Sequence, residues 1–380
     1  MAGHKGIQWQ KLSPEAWIQG NRALARQLGV CPKTVRWARK RYAPDAPAQA
    51  LPEGHAIKGV STLVRANGET VLQWIKTDRR RQELLEQLAR IAEPLRGEKD
   101  PVTAPDVRRL VQDLMAVILW GDPHCGALAW PAETGNRWDL AEFERLHVAS
   151  AHDLVRRAPA CEELVLVTVG DTFHANDRSG LTPRNKHVLD VDSRFPKALL
   201  VARRTFRLVI DLAREKFARV RVVILPGNHD PDASFAMAMI LDALYDREPR
   251  VTVDLRPAKY RHLQWGANLL CFGHGDTRKM AALGGIAPGM WPQAWGRTRH
   301  HHWYTGHVHN HSGMTLPDGS YAESLETLAG RDAYAVEGGW ISGRSARLDV
   351  WHKELGRTEQ HWFRAEWSPP EGEAPTEDAA

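Results

Sequence analysis

The stretch Val222 to Asp230, VVILPGNHD, decides how this chain folds. Four consecutive aliphatic residues, Val222, Val223, Ile224 and Leu225, are stopped by Pro226 and Gly227, which is the pattern of a short strand buried on both faces. Three polar residues with metal-binding or proton-transfer chemistry, Asn228, His229 and Asp230, follow at once. In open α/β sheets ligands gather beyond the carboxyl ends of the strands, and a glycine there lets the backbone turn so that the next side chain enters the cleft.

The same grammar recurs on both sides of this stretch. Gly121-Asp122-Pro123-His124 ends an apolar run that begins at Met115, and Gly170-Asp171 ends Leu164 to Val169. Gly273-His274 follows Leu269-Leu270-Cys271-Phe272, and Gly306-His307-Val308-His309 follows Trp303-Tyr304-Thr305. Helical stretches such as Lys197 to Phe217 separate the runs, so the expected class is α/β. Asp and Asn are ordinary turn residues, but turn chemistry gives no reason for histidine to occupy so many strand ends. Aspartate, asparagine and histidine are together the donor set for divalent cations, and there are enough of them for two sites.

The order D-x-H, GD, GNHD, GH, GHxH resembles that of the calcineurin-like metallophosphoesterases, over roughly residues 115–363. The resemblance implies a four-layer αββα sandwich of two mixed sheets. It also implies one cation on Asp122, His124 and His309, a second on Asn228, His274 and His307, and Asp171 bridging them. His229 matches the non-ligand histidine beside the scissile phosphate. The run Gly170-Asp171-Thr172-Phe173-His174 looks like the GDxFH run of the double-strand-break repair nucleases of that superfamily, which would put His174 on the phosphate too. The GDxxDRG run of the protein phosphatases is not matched. The stretch from His174 to Phe195, an insertion after the bridging aspartate, resembles phage and prophage members; it leaves Asn176, Asp177, Asp190 and Asp192 either in a surface loop or lining a groove, with His187 a groove candidate.

Two cations about 3.5 to 4 Å apart can activate water, neutralise phosphate oxygens and orient in-line attack. His229, kept off the metals, is the candidate general acid, and Asp230 either orients or charge-stabilises it or caps the next helix. His174 would stabilise charge on the phosphate. Mixed Asp, Asn and His ligands suit manganese best, with iron or zinc as alternatives. His300, His301 and His302 are expected at surface or edge positions, and His311 beside the last ligand pair rather than on a metal.

The rest of the chain points to a polyanionic partner. From Ser13 to Tyr42 the pattern reads as helix, turn at Gly29, helix, with Lys33, Arg36, Arg39 and Lys40 on the second helix and no acid between Trp17 and Pro44. Residues 1–45 are therefore a helix-turn-helix-like DNA-binding candidate. Residues 46–114 hold a Pro/Ala linker, a hairpin about Asn67-Gly68 and an amphipathic helix from Arg79 to Leu95; residues 115–365 form the catalytic domain and 366–380 an acidic, disordered tail. A net charge of +5 and a pI near 9.0 agree with a nucleic-acid partner. Cys31, Cys125, Cys161 and Cys271 show no paired spacing and read as free thiols. No apolar run reaches the roughly 20 residues of a membrane span, and the start MAGHKGIQWQ lacks a signal peptide's apolar stretch, so a cytoplasmic location is expected. The joint reading is a DNA nuclease. A phosphoesterase on nucleotides or other small phosphoesters, and a DNA-binding regulator with a structural metal, are the alternatives. Self-association and an ATPase partner are both compatible with the sequence.

Overall fold

The apolar runs that end in glycine motifs are strands, and they fall into two sheets. The computed structural model describes residues 12, 21–42, 56–64, 70–78 and 104–367. The chain divides into two units, 1–82 and 83–380.

In the larger unit β3 (Val111–Trp120), β4 (Cys161–Thr168), β5 (Arg219–Ile224) and β6 (Val251–Val253) run parallel, and β12 (Ser345–His352) and β13 (Gly356–Arg364) extend the sheet antiparallel beyond β3. The second sheet has the order β10-β11-β9-β8-β7, built from β7 (Tyr260–Trp265), β8 (Asn268–Gly273), β9 (His300–Thr305), β10 (Ser312–Thr315) and β11 (Tyr321–Ser324). Its three central strands are parallel and its two outer ones antiparallel.

Alternation along β3 gives the layers. Ala116, Ile118 and Trp120 pack with the helices Leu140–Arg157, Phe195–Lys216 and Ala233–Leu244, whereas Met115, Val117 and Leu119 meet Leu270, Phe272 and Tyr304 of the second sheet. The far face of the second sheet, through Leu269, Cys271 and Trp303, is covered by the short helices Ile286–Met290 and Pro292–Arg297. The expected αββα arrangement of two mixed sheets is what is observed. Strands covered on both faces are mostly apolar, which is why β3, β4 and β5 read as nearly unbroken runs.

The triple histidine departs from expectation. His300 to His302 open β9, the middle strand of its sheet, and His302 is buried rather than at a surface or edge. A buried ion cluster accounts for this. His302 Nε2 lies 2.5 Å from Glu323 Oε1, and Arg347 and Arg357 reach the same carboxylate at 2.8 and 2.5 Å. Both arginines also bond Asp349, which accepts the Tyr304 hydroxyl proton at 2.6 Å. His302, Tyr304 and Glu323 belong to the second sheet and Arg347, Asp349 and Arg357 to the first, so charge ties the sheets together beside the aliphatic layer. His311 joins the cluster too, 3.2 Å from Glu323 Oε2.

In the smaller unit the helices Asn21–Gln27 and Pro32–Tyr42 bury Leu24, Ala25, Val35 and Ala38, and the turn between them contains Gly29 at φ +65°. Lys33 and Arg36 are exposed; the side chains of Arg39 and Lys40 lie outside the described residues. The expected hairpin is present, β1 (Ala56–Val64) pairing antiparallel with β2 (Thr70–Asp78). The amphipathic helix expected over 79–95 and the tail from 368 lie outside the described residues. No described helix is long and apolar enough to cross a membrane, and the four cysteines are free.

Burial alone would raise the Glu323 carboxyl, yet His302 and Arg347 hold it well below its ordinary value of 4.5. Its contribution to stability is therefore complete above about pH 4.5 and lost as the pH falls below that. Glu323→Gln, which leaves Arg347 and Arg357 under-neutralised, should cost about 3–5 kcal/mol at neutral pH. Thermal unfolding across pH should also show the mutant losing less stability on acidification than the wild type.

Candidate metal centre

All five glycine motifs stand at carboxyl ends of strands, three on the first sheet (β3, β4, β5) and two on the second (β8, β9). The parallel order brings these ends side by side. Asp122, His124 and His309 offer ligand atoms within 4.8 Å of one another, and so do Asp171, His274 and His307. Asn228 joins the second group, its Oδ1 2.9 Å from His274 Nε2. The seven expected ligands thus converge. Asp171 Oδ2 lies 3.2 Å from His274 Nε2, and its charge also bears on His124 and His309 in the first group.

The backbone there is strained in a revealing way. Six non-glycine residues among those described have positive φ, namely Asp122, His124, Asp171, Lys186, His307 and His309, with values from +42° to +71°. Five of these are candidate ligands. A left-handed conformation costs an L-residue about 1–2 kcal/mol, and it survives where the surrounding structure over-determines it, most often at functional sites. Close backbone packing supplies the determination. A Cβ on Gly227 would fall 1.9 Å from Asp171 Oδ1, and one on Gly306 would fall 2.2 Å from Asp122 Oδ2. Backbone amides then fix both carboxylates: His307 N–H donates to the Asp122 oxygens at 3.0 and 2.9 Å, and His229 N–H to Asp171 Oδ1 at 2.8 Å.

The donor chemistry fits divalent cations. Asp122 is fully buried and Asp171 is 2% exposed. Burial, with Asp171 nearby, pushes the Asp122 carboxyl up to about 8 against the pull of His274. Burial lowers His274, but Asp171 and Asp122 outweigh it and push the imidazole up to about 10. The other imidazoles go the opposite way, with His309 drawn down to about 4 chiefly by burial and His124 well below its ordinary value by burial and by His229, His309 and His174. Neutral imidazoles present lone pairs. His124 Nε2 and His309 Nε2 stand 3.1 Å apart. His274 gives Nδ1–H to the Val169 carbonyl at 3.0 Å, which leaves Nε2 to face Asp171 and Asn228 as a ligand atom.

The remaining expected residues take varied places. His229 is partly buried; its Nδ1–H donates to the His174 carbonyl at 2.9 Å and its Nε2 lies 4.0 Å from Asp171 Oδ2. Asp230 does not orient it. Its carboxylate accepts from Phe173 N–H at 2.8 Å, Gly227 N–H at 3.0 Å and the Ser234 hydroxyl, so it braces the turn itself. Nor does it cap the following helix, whose first amides at Asp232 and Ala233 are capped by Asn176 Oδ1 at 2.9 and 3.0 Å. His174 is 2% exposed, with Nδ1 3.1 Å from His124 Nδ1. If His124 Nε2 serves a cation, His124 carries its proton on Nδ1 and donates it to His174, which makes His174 a positioning partner of that ligand. Two contacts had no sequence signal: Thr327 Oγ1–H donates to the Asp122 carbonyl at 2.7 Å, and Trp138 Nε1–H to the His124 carbonyl at 3.2 Å.

No family model and no curated protein matches this chain. Among solved structures it is similar to a conserved protein from Streptococcus pneumoniae described as a predicted phosphoesterase, at 10% identity over 67% of this chain and 99% of that one, TM-score 0.28. It is also similar to a dimetal phosphatase from Danio rerio, at 9% identity over 66% and 99%, TM-score 0.35. A 5′-nucleotidase from Candida albicans is 11% identical over 69% of this chain and 53% of that one, TM-score 0.34. With scores this low, the chemistry of the site rests on its own geometry.

Gly227→Ala should abolish cation binding, because its Cβ would displace Asp171, while leaving far-ultraviolet circular dichroism unchanged; metal analysis after reconstitution would check this. Cation uptake at pH 7 should release about two protons per chain, since Asp122 and His274 both sit above neutrality in the cation-free site. An unbuffered titration with a pH indicator would read it.

Proposed function

We propose that this chain is a calcineurin-like phosphodiesterase that uses two divalent cations, manganese first among them, to hydrolyse DNA. The observation that carries the reading is the concentration of left-handed backbone in the ligand set, five of six such residues among those described. A fold that stores strain at both GHxH histidines and at Asp122, His124 and Asp171 is preorganised around charge. Asp122, His124 and His309 would hold one cation, and Asp171, Asn228, His274 and His307 the other. Bound there, the cations would supply Lewis acidity and an activated water for attack on phosphorus.

The chain's own part is to position and protonate. His229 has Nδ1–H fixed by the His174 carbonyl, which leaves Nε2, on the side of Asp171, as the atom that would carry a transferable proton. An imidazolium there could give its Nε2 proton to the leaving oxygen. DNA as substrate is supported by exposed Lys33 and Arg36 on a helix that follows a glycine turn, suited to phosphate contacts flanking a groove.

Purified protein with manganese, end-labelled linear and circular DNA, and a chelator control should show metal-dependent cleavage. Cleavage of bis-p-nitrophenyl phosphate with intact DNA would instead point to small phosphoesters. His229→Ala should keep its metal and lower turnover on DNA by about 10²- to 10⁴-fold. The loss should be much smaller on the nitrophenyl diester, whose leaving group needs little protonation, and equal losses would reassign His229 to phosphate positioning.

A further inference from the structure

The insertion after Asp171 is an ordered hairpin rooted at both ends on ligand loops. At its start Cys125 bridges Phe173, and at its return Ala127 bridges Val191 while Asp192 N–H bonds the Gly126 carbonyl at 3.0 Å. Between these, Leu181 pairs with Val188, and Thr182 exchanges backbone bonds with His187 at 2.9 Å and Lys186 at 3.0 Å. The tip so formed exposes Arg184, Asn185, Lys186 and His187. Lys186 is the one left-handed non-glycine residue of the described chain outside the ligand set, at φ +60°. Neither Arg184 nor Lys186 forms an ion pair among the described residues.

Beside this tip stands a row of exposed rings. His187 lies 6.4 Å from Tyr334 and Tyr334 lies 5.0 Å from Trp340, centroid to centroid. Tyr334 is 61% and Trp340 56% exposed. The backbone under Trp340 is hydrogen-bonded to the helix that carries Tyr334. A side chain on Gly338 would meet the Trp340 indole at 2.9 Å, and Trp340 N–H bonds the Ala335 carbonyl at 3.0 Å. Exposed, neighbouring aromatic faces next to cations without carboxylate partners match the two needs of a single-stranded nucleic acid, π-surface for unpaired bases and positive charge for its backbone. The acid nearest in sequence to the rings is Asp332, whose carboxylate accepts from Ala335 N–H at 2.9 Å as the cap of the Tyr334 helix, and residues 182–188 contain none.

We propose that His187, Tyr334 and Trp340, with Arg184 and Lys186, form a platform that binds single-stranded nucleic acid, a substrate assignment that rests on the phosphodiesterase reading. Bases stack on the rings and phosphates meet the two cations. A duplex keeps its bases paired and gains only the phosphate contacts.

The test uses the full-length protein in chelator, so that no strand is cut, with a labelled oligothymidylate and a duplex of equal length as probes. Tyr334→Ala with Trp340→Ala should weaken oligothymidylate binding by about 10-fold or more and spare the duplex. Tyr334→Phe with Trp340→Phe, which keeps the rings, should bind as the wild type does. Arg184→Gln with Lys186→Gln should lower the slope of log affinity against log salt by about 1. With manganese restored, every variant should hydrolyse bis-p-nitrophenyl phosphate at the wild-type rate. A wild type that hydrolyses no diester overturns the phosphodiesterase reading. A wild type that does so, with the alanine variant binding oligothymidylate unchanged, overturns the platform alone. A change in sedimenting mass of that variant with unchanged oligothymidylate binding overturns it in favour of a protein contact.

Discussion

Two carboxylates out of reach of water, at neighbouring strand ends, are the constraint around which the larger unit is organised. Asp122 and Asp171 are both buried, and burying a carboxylate without compensating charge or donors is costly. Amides of His307 and His229 supply donors, and histidines from two sheets crowd round the remaining oxygens. The glycines are small because those oxygens occupy the space a Cβ would take. Strand order, turn geometry and ligand identity are thus one solution to a single electrostatic problem.

Much of this was legible in the sequence because each strand end writes its own punctuation: an apolar run, a glycine, then a metal-binding side chain. Runs covered on both faces hold few polar residues, so their ends stand out. Where polar residues are buried in pairs, that signal fails. His302 sits in the middle strand of a sheet because Glu323, 21 residues later, neutralises it, and no local pattern marks such a partnership. The triple histidine therefore reads as surface until its partner is seen.

Roles were harder to read than positions. Asp230 follows His229 in the chain, which invites a pairing, but the tight turn aims its carboxylate at the amides of Gly227 and Phe173 and hands the imidazole to the His174 carbonyl. The helix it was placed to cap takes its cap from Asn176, 56 residues earlier. Residues adjacent in sequence point to different neighbours whenever the backbone turns sharply, and sharp turns are what this site is made of.

The ion cluster beneath β9 has a mechanical side. Aliphatic layers hold two sheets together without fixing how far one slides along the other, because one methyl contact is much like the next. Arg347 and Arg357 are not so indifferent: a small shear would pull them off Glu323, whose position they share with His302. Since β3, β4 and β5 carry three of the five candidate-ligand motifs and β8 and β9 the other two, the spacing across the centre is a distance between sheets. The cluster acts as a ruler for that spacing, set into the sandwich away from the chemistry whose dimensions it keeps.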